Sequence, residues 1–500
     1  MRGEKTLSVA GKYVNKNDEW IGIPAFDDRK NPDGLSDTKA VVTEGGNMIS
    51  FHGLKGSIRA GPVGTEAVLY DNVADKVPAQ VYDALRNYSS DKPLIVQNEQ
   101  FDSCRNPSEL VRNLSHPESF GIVSGRKPSG PCHFGHKLVI DTLGFFQKNG
   151  AQIFMPIADT EASLDSKMKD NSQYMYLAAD NLLDWGASGL NLNAAHVYLQ
   201  SEEMRVMNLG YAAARQLDLA LTVDVYGRDM LADEMNFLFA SITQVGDILL
   251  PQHRDFGKSH SIMLSGADQD GNMKMTMSLA SRMLSSKFAG HVRSAPSSLY
   301  VRSISNMEGK KESASEPETT IYLGPSRNVY AKTSTGRVLE KVKALSLDER
   351  IDDVCGKIDR FKESDAANVL ATIQRRSKVL KDFEGLARHA GSDDALIEGF
   401  KEEVVNSITA HQANRRVVYE YALSRALQDY LNASGQGAAS PQIERIYAGA
   451  RANEVSVNST SLAEPVFWAV PEGARVAECN KRFSTKWYHI VAVAADKLKV

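Results

Sequence analysis

The chain has 500 residues, and its 58 Lys and Arg residues against 62 Asp and Glu residues give a formal charge of −4. Hydrophobic residues make up 42% and charged residues 24%, a composition that permits a buried core and excludes disorder as the main state. A chain of this length predicts about three domains. It shows no apolar run long enough to span a membrane and no signal peptide, so we expect a soluble, cytoplasmic protein.

The near-neutral charge argues against bulk coating of nucleic acid, but it does not exclude one local basic face on an enzyme. The four cysteines, Cys104, Cys132, Cys355 and Cys479, are far apart and form no CxxC pair. Closely spaced pairs are the signature of zinc ribbons and disulfide frameworks. The sequence therefore predicts neither, and we expect no bound protein metal.

Residues 1–90 show short apolar alternation broken by Gly, Pro, Asn and Asp. Such alternation is typical of strands, which we predict at Ala40–Val42, Met48–Phe51 and Ala67–Tyr70. The pattern predicts a small β-rich N-terminal domain.

Residues 91–330 form a second region, in which strand-like apolar runs alternate with helical patterns. Strands are predicted at Phe120–Ser124, Ile153–Ala158, His196–Leu199 and Ser261–Leu264. Helices are predicted at 133–148, 174–185, 204–217, 233–249 and 273–284. This alternation indicates an α/β fold with a parallel sheet, and it places a ligand site at the carboxyl ends of the strands.

Residues 331–433 contain few Pro or Gly and are predicted to be almost continuously helical. Ser434–Ser440 reads as a linker. Residues 441–500 regain β character at Val466–Val470 and Trp487–Val493, which predicts a small β-containing appendage.

The first chemistry-bearing motif runs from Gly125 to His136, between a predicted strand and a predicted helix. Gly130 and Gly135 leave room for a ligand against the backbone. The helix start presents free N–H groups and the positive end of the helix dipole, which suit a phosphate. His133 and His136 project from one face of the first turn and could donate hydrogen bonds to phosphate oxygens. On its own, the motif is equally compatible with a helix cap and two structural histidines.

Two further motifs follow along the chain. Gly266-Ala-Asp268-Gln269-Asp270 comes just after a strand, where its carboxylates and amide could hold ribose hydroxyls or an amino group. Met307–Pro317 is a loop of small polar residues with two lysines, which could close over a triphosphate. Read alone, the first is an acidic turn and the second a solvated linker.

In this order, the motifs resemble the class I aminoacyl-tRNA synthetases, whose HIGH and KMSKS motifs bind ATP. They stand here as HFGH at 133–136 and KESAS at 311–315. The segments PSGPCHFGHK, IADTEAS (157–163), GADQD (266–270) and SASEP (313–317) are similar to tryptophanyl-tRNA synthetases of the archaeal–eukaryotic type. The resemblance covers roughly residues 118–430.

The resemblance implies a Rossmann-like catalytic domain at 91–330, a helical anticodon-binding domain at 331–433, and a homodimer. It implies the activation of L-tryptophan by ATP with Mg²⁺, followed by transfer to the 3′ end of tRNA(Trp). The catalytic residues it implies are His133, His136, Lys310, Lys311, Ser313 and Ser315. The ATP-binding residues are Gly130, Gly135, Gly266 and Asp268, and those for the amino acid are Gly125, Glu161, Gln244, Asp247 and Gln269.

Asp247 matches an aspartate that accepts the indole N–H in bacterial tryptophanyl enzymes, but tyrosyl enzymes also carry an aspartate there. Val123 replaces the tyrosine that tyrosyl enzymes use to read a phenol, and Glu161 matches the glutamate that holds the amino group in tryptophanyl enzymes. These positions favour tryptophan. Val123 and Pro156 also replace the Tyr and Gln that read the indole in the archaeal–eukaryotic branch, so ring recognition is expected around Asp247.

Glu312 stands where the family has Met, and it adds a negative charge that we expect Lys310 to compensate. These departures leave two alternatives, a tyrosine--tRNA ligase and a non-catalytic paralogue that binds tRNA or tryptophan.

The helical region carries basic residues that the resemblance assigns to anticodon reading. They are Arg375, Arg376, Lys378, Lys381, Arg415 and Arg416.

Overall fold

The computed structural model describes most of the chain beyond residue 73, together with the backbone of four short strands before it. The described ranges are 74–164, 172–226, 235–285, 292–333, 336–386, 390–434, 441–457 and 485–500.

The four N-terminal strands form two antiparallel pairs. β1 (Val14–Lys16) pairs with β2 (Glu19–Ile21), and β3 (Ala40–Glu44) pairs with β4 (Asn47–Phe51). The predicted strands at Ala40–Val42 and Met48–Phe51 are the two arms of the second pair. The predicted strand at Ala67–Tyr70 lies outside the described residues.

Residues 74–114 belong to the main body of the fold. They form α1 (Ala79–Tyr88), α2 (Leu94–Gln97), β5 (Phe101–Arg105) and α3 (Pro107–Leu114). The side chains on the inner face of α1 are fully buried in the same core as the central sheet. The structure therefore packs α1 against the core of the central sheet, although the sequence pattern assigns residues up to 90 to the N-terminal domain.

The first half of the parallel sheet follows the predicted strand–helix alternation. Its elements are β6 (Phe120–Val123), α4 (Phe134–Lys148), β7 (Gln152–Ile157), α5 (Asp159–Leu164), α6 (Ser172–Ala187) and β8 (His196–Leu199). All residues of β6 and β8 are buried. Strands covered on both faces need continuous apolar runs rather than alternation, which explains sequences such as FGIV.

The second half of the sheet lies on the side of β6 opposite to β7 and β8. Its elements are α7 (Met204–Ala214), α8 (Leu219–Tyr226), α9 (Met235–Leu249), β9 (His260–Gly266), α10 (Asp270–Leu284) and β10 (Ser297–Val301). The six-stranded sheet has the order β5-β10-β9-β6-β7-β8. Every pairing in it is parallel except that of β5 with β10.

The strand order reverses between β6 and β9. The chain moves outward from β6 to β7 and β8, and then crosses back to place β9 on the opposite side of β6. A crevice opens at the carboxyl ends of the strands at such a switch point, because the two connections leave in opposite directions. The predicted motifs at 125–136 and 266–270 follow β6 and β9, so both lie at this crevice.

A β-hairpin interrupts the region predicted to be continuously helical. β11 (Ser326–Thr333) pairs with β12 (Gly336–Ala344), and helix begins only at Leu347. The prediction of helix from residue 331 is therefore wrong over this stretch. The period-two pattern of Lys341, Val342, Lys343 and Ala344 is the local signal for a strand.

Long helices follow the hairpin. They are α11 (Leu347–Arg376), which is kinked at Asp365, then α12 (Asp393–Ser434), α13 (Pro441–Ala452) and α14 (Trp487–Val493). The prediction of a strand at Trp487–Val493 is wrong. Trp487, Ile490 and Val491 are buried together at the i, i+3, i+4 spacing of a helix. The predicted strand at Val466–Val470 lies outside the described residues.

The C-terminal helices are integrated with the rest of the molecule. The indole N–H of Trp487 donates to Asn193 Oδ1 at 3.0 Å, and its ring stacks on Tyr421 of α12. The described residues of the predicted appendage therefore pack on α12 and on the loop before β8. Among the described helices, none combines the length and apolar character needed to cross a bilayer.

Candidate active site

One cleft of about 1020 Å³ lies at the carboxyl ends of the parallel strands. The segments that follow β6, β7, β8, β9 and β10 all contribute side chains to its wall. These strand ends meet because parallel strands point the same way, so residues far apart in sequence become neighbours. Most of the predicted site residues line it, namely Gly125, His133, Gly135, His136, Glu161, Gln244, Asp247, Gly266, Asp268, Gln269, Lys311, Ser313 and Ser315.

The turn after β6 is shaped by a close approach to β7. A Cβ added at Gly125 would lie 2.3 Å from Pro156 Cγ and 2.5 Å from its carbonyl oxygen, so only glycine fits there. The side chain of Arg126 stabilises the turn through hydrogen bonds. Its guanidinium donates to the Pro131 carbonyl at 2.9 Å and to Asn181 Oδ1 at 3.0 Å.

His133 is the N-cap residue of α4, and the centres of the two histidine rings lie 3.7 Å apart. His136 Nδ1 accepts from the backbone N–H of His133 at 3.3 Å, which leaves Nε2–H as its available donor. Burial lowers the pKa of His136 well below its usual range, and the charge of Arg126 lowers it further. The ring of His136 is therefore neutral near pH 7 and can act as a hydrogen-bond donor to phosphate.

Glu312 contributes to the wall of the cleft, but its carboxylate is buried. Its side chain is 1% exposed, and Oε1 accepts from Arg376 Nη2 at 3.0 Å. Oε2 lies 3.3 Å from His133 Nδ1. Burial raises the pKa of Glu312, but the charge of Arg376 and the contact with His133 outweigh it and hold the pKa at about 2. Arg376 rather than Lys310 compensates this charge, because Lys310 is exposed and pairs with Glu308 at 3.0 Å.

Asn306 builds the turn that carries the KESAS segment. Its Oδ1 accepts from the backbone N–H groups of Glu308 and Lys310, each at 3.0 Å, and its Nδ2 donates to Thr319 Oγ1 at 2.9 Å. Lys310 leaves this turn toward solvent and does not line the cleft. Its predicted catalytic role is thus not supported by its position.

Lys311, in contrast, reaches across the cleft. Its ammonium lies 2.8 Å from Asp268 Oδ1, and both side chains are about half exposed. The pKa of Asp268 is lowered, since the contact with Lys311 outweighs the effect of burial. Ser313 Oγ and Ser315 Oγ are 2.9 Å apart beside this pair. The cleft therefore brings a half-exposed lysine, two hydroxyls and the two histidines to one place.

Gly130 lies against the KESAS segment rather than in the cleft wall. A Cβ there would be 2.7 Å from Ala314 Cβ and 2.7 Å from Asn328 Nδ2. Asn328 in turn donates to the carbonyls of Ser129 and Ala314 at 3.1 and 3.3 Å. Gly130 therefore allows the turn and the loop to touch, which differs from its predicted contact with ATP.

A second set of polar groups lines another part of the same cleft. Gln244 Nε2 donates to Gln269 Oε1 at 3.0 Å, and Asn272 Nδ2 donates to Gln244 Oε1 at 2.5 Å. Glu161 Oε1 lies 3.4 Å from the ammonium of Lys127. These carboxylate and amide groups are suited to holding the charged amino group of an amino acid.

Asp247 is 2% exposed, yet it contributes to the cleft wall. Tyr198 donates its hydroxyl to Oδ1 at 2.8 Å, and Gln200 donates from Nε2 to Oδ2 at 2.5 Å. Burial raises the pKa of Asp247 to about 7, although both hydrogen bonds oppose the rise. Each carboxylate oxygen can still accept another hydrogen bond from a ligand N–H.

Sequence reasoning missed several residues that shape this cleft, above all Arg126, Tyr198, Gln200 and Arg376. Tyr198 and Gln200 stand at the carboxyl end of a strand that was predicted correctly, so their position alone was a usable signal. Nothing in the local sequence indicates Arg376, because its partner Glu312 is 64 residues away.

Two members of the predicted anticodon-reading cluster are buried in ion pairs. Arg376 pairs with Glu312, and Arg415 pairs with Asp180 and Asp184 at 2.7 and 2.5 Å. The side chains of both arginines are 0% exposed, so neither can contact RNA in this conformation. The other members are exposed, namely Arg375, Lys378, Lys381 and Arg416.

A family model for class I tRNA synthetases (W and Y) matches residues 116–335. The tryptophan--tRNA ligase of Methanocaldococcus jannaschii is 32% identical over 250 residues, covering 48% of this chain and 65% of that enzyme. The tryptophan--tRNA ligase of Methanopyrus kandleri is 26% identical over 332 residues, covering 58% of this chain and 84% of that enzyme. The chain thus matches less than two thirds of the first of these relatives.

Solved structures show the same fold. Tryptophanyl-tRNA synthetase from Aeropyrum pernix superimposes with a TM-score of 0.53 at 20% identity, covering 67% of this chain and 89% of that chain. The enzyme from Encephalitozoon cuniculi bound to tryptophan gives a TM-score of 0.53 at 18% identity, covering 68% and 93%. The Rossmann-like fold is therefore confirmed. The family match over residues 116–335, taken with the motifs in the cleft, thus makes this chain similar to the archaeal tryptophan--tRNA ligases.

Proposed function

We propose that the chain is a tryptophan--tRNA ligase, which activates L-tryptophan with magnesium ATP and transfers it to the 3′ end of tRNA(Trp). The observation that carries the proposal is the meeting of two groups of side chains in one cleft. Lys311, Ser313 and the two histidines form a phosphate-binding group. Glu161, Gln244, Asp247 and Gln269 form an amino-acid-binding group beside it.

In the first step, the carboxylate of tryptophan attacks the α-phosphorus of ATP. The new bond joins the carboxylate oxygen to phosphorus, and the bond to the bridging oxygen breaks to release magnesium pyrophosphate. No side chain acts as a nucleophile, so the protein contributes by positioning and by stabilising charge. His136 donates to the phosphates from Nε2, and Lys311 leaves Asp268 to follow the pyrophosphate.

In the second step, the terminal ribose hydroxyl of tRNA attacks the carbonyl carbon of the adenylate. An ester bond joins the ribose oxygen to the carbonyl carbon, the bond from that carbon to the AMP oxygen breaks, and the hydroxyl proton passes to the departing phosphate. The exposed members of the basic set on the helical region, Arg375, Lys378, Lys381 and Arg416, are the candidates for contacts with tRNA phosphates.

Asp247 would accept the indole N–H, with Tyr198 and Gln200 holding the carboxylate in place. Val123 lines the same cleft and offers no hydrogen bond to a phenol. The curated relatives above are tryptophan--tRNA ligases, which supports the same choice of amino acid. Tyrosine is therefore the main competing substrate.

A homodimer is part of the proposal. Met204 and Tyr211 lie seven residues apart on one face of α7 and are 61% and 59% exposed. Phe239, on the helix α9 that packs against α7, is 57% exposed. We infer that these three exposed apolar side chains contribute to a protein–protein interface. Sedimentation of the full chain tests this, and a monomer would contradict it.

The two lysines at the turn offer a matched test of the catalytic assignment. Lys311→Ala removes the ammonium that reaches into the cleft, whereas Lys310→Ala removes one that faces solvent. We expect Lys311→Ala to lower kcat of tryptophan-dependent ATP–pyrophosphate exchange by roughly 100-fold or more, with little change in tryptophan binding. Lys310→Ala should stay within a few-fold of the wild type. Equal effects of the two variants would contradict the assignment.

A further inference from the structure

Glu312 joins three segments that are distant in sequence. It lies in the KESAS loop, its Oε1 accepts from Arg376 of α11 at 3.0 Å, and its Oε2 lies 3.3 Å from His133 Nδ1. The backbone N–H of Ile321 donates to Oε1 at 3.2 Å. All of these contacts are buried, so water does not compete for the carboxylate. A single carboxylate thus connects the loop, the first catalytic histidine and the helical region.

The KESAS loop packs against the C-terminal end of α11. Thr372 Oγ1 donates to the Asn306 carbonyl at 3.1 Å, and Arg376 Nη2 donates to the Ser305 carbonyl at 3.0 Å. The guanidinium of Arg376 also lies 5.5 Å from the ring centre of Phe134, beside His133. Arg376 is therefore fixed by both the loop and α4, and it presents a positive charge to Glu312.

The contacts of His133 Nδ1 depend on where its proton lies. The backbone N–H of Gly135 is 3.1 Å from Nδ1 and 3.2 Å from Glu312 Oε2. A neutral ring carries one proton, so Nδ1 cannot donate to Glu312 and accept from Gly135 at once. With the proton on Nδ1, both His133 and Gly135 donate to the carboxylate. With the proton on Nε2, an unprotonated Nδ1 faces a buried negative charge.

The first of these forms is favoured without ligand, but it leaves Nε2 as an acceptor. An acceptor facing an anionic phosphate is repulsive, so a neutral His133 cannot serve Glu312 and ATP together. Burial lowers the pKa of His133 in the unliganded protein, while Glu312 opposes the change. The titratable or charged groups around the ring are Glu312, Arg376, Arg126 and His136, and the backbone of Tyr322 bridges to that of His133.

We propose that Glu312 is a positioning residue that makes His133 take up a proton when the phosphates of ATP enter the cleft. The inference rests on the proposed function, since it takes ATP as the ligand. The proton comes from solvent and binds Nε2, and no bond of ATP is made or broken in this step. The imidazolium then donates from Nδ1 to Glu312 and from Nε2 to a phosphate oxygen, between two negative charges.

Arg376 keeps Glu312 ionised for this role and ties it to the helical region. A methionine at position 312 would offer no such partner, so His133 could stay neutral and donate to phosphate from Nε2. The proposal therefore predicts a difference in proton balance rather than simply a loss of activity. By linkage, an enzyme that takes up a proton with ATP binds ATP more weakly as pH rises.

Calorimetric titration of the full chain with magnesium ATP at pH 8, in buffers of different ionisation enthalpy, measures this proton uptake. At that pH ATP itself is nearly fully ionised. We expect uptake approaching about one proton in the wild type and near zero in Glu312→Met and Glu312→Gln. Glu308→Gln is the matched control, because Glu308 is a partly exposed glutamate that pairs with Lys310 in the same turn. It should keep the wild-type value.

The same variants give a second readout. The KM for ATP in the exchange reaction should rise with pH in the wild type, by up to about tenfold per pH unit, and stay flat in Glu312→Met. Equal proton uptake in the wild type and in Glu312→Met would overturn the inference. If Glu312→Met does not fold because Arg376 is left unpaired, the double variant Glu312→Met/Arg376→Met removes both charges and must also show no uptake.

The test separates this inference from the proposed function. Tryptophan-dependent exchange by the wild type with unchanged proton uptake in the variants rejects only the role of Glu312. ATP binding without exchange for any amino acid rejects the ligase activity, whatever Glu312 does.

Discussion

The buried carboxylate of Asp247 is oriented by hydrogen bonds and can still accept a hydrogen bond from a ligand. Tyr198 and Gln200 each donate one hydrogen bond to it, at 2.8 and 2.5 Å, and both stand on the segment at the end of β8. Two donors fix the orientation of the group but leave acceptor positions on both oxygens. A ligand N–H therefore meets an oriented acceptor, and the side chain loses little entropy on binding.

The raised pKa of Asp247 predicts a pH dependence of tryptophan binding. Burial raises this pKa to about 7, and the indole N–H donates best to the ionised form. Below pH 7 the free protein holds a proton that must leave before binding, so the Kd for tryptophan should rise by up to about tenfold per pH unit as pH falls. Above pH 7 the Kd should be flat. Fluorescence titration with tryptophan from pH 5 to 8 measures it.

Asp247→Ala is the control for this titration. It should abolish the slope and raise the Kd by roughly 10- to 150-fold at pH 8, which is the usual range for one hydrogen bond to a charged group. The KM for ATP should change far less. A slope that persists in Asp247→Ala would assign the titration to another group.

At the scale of elements, the predictable part of the fold is the part whose signal is local. The strand–helix alternation from Phe120 to Leu284 is local, so β6 to β9 and the helix start at His133 could be predicted, whereas β5 and β10 of the same sheet were not. The hairpin at Ser326–Ala344 and the helix at Trp487–Val493 were missed, because short apolar segments fit both periods and only their packing decides.

The residues of the candidate site also fall into those that could be predicted from the sequence and those that could not. His136 and Asp268 follow predicted strands, Lys311 lies in a predicted loop, and all three meet in the cleft. The burial of Glu312 and Arg376 could not be predicted, because each is buried by a partner in another region of the chain. Polar residues that neutralise one another across a fold carry no local pattern.

Two glycines on neighbouring elements give opposite predictions. Gly125→Ala places a Cβ 2.3 Å from Pro156 and should destabilise the β6–β7 edge by about 1–3 kcal/mol. Gly144→Ala, within α4, meets nothing within 4 Å and should stabilise the helix by about 0.5–1 kcal/mol. Thermal unfolding monitored by circular dichroism should show a lower Tm for the first variant and an equal or higher Tm for the second. The reverse order would contradict the close approach at Gly125.

At the scale of the whole molecule, buried charges connect the catalytic and helical regions. Arg415 on α12 pairs with Asp180 and Asp184 on α6, and His411 Nε2 lies 2.9 Å from Asp184 Oδ1. The pairing of Glu312 with Arg376 forms a second connection. Ion pairs without access to water require their partners, so the two regions are fixed relative to one another.

Arg415→Met should therefore destabilise the protein strongly. It leaves two buried carboxylates without their cation, at a cost of about 3–5 kcal/mol. Arg416→Met is the matched control, since the guanidinium of Arg416 is exposed and donates to the Glu454 carbonyl. We expect the Tm to fall by several degrees in the first variant and by little in the second. Equal Tm values would show that the connection between α12 and α6 does not limit stability.

The amino-acid specificity of ATP–pyrophosphate exchange tests the central claim most directly. Each of the twenty amino acids is supplied in turn with magnesium ATP and labelled pyrophosphate, and the formation of labelled ATP is measured. The proposed function predicts exchange with tryptophan and at most weak exchange with tyrosine. Exchange with tyrosine but not tryptophan would identify the sister activity, and no exchange with any amino acid would contradict catalysis by this cleft.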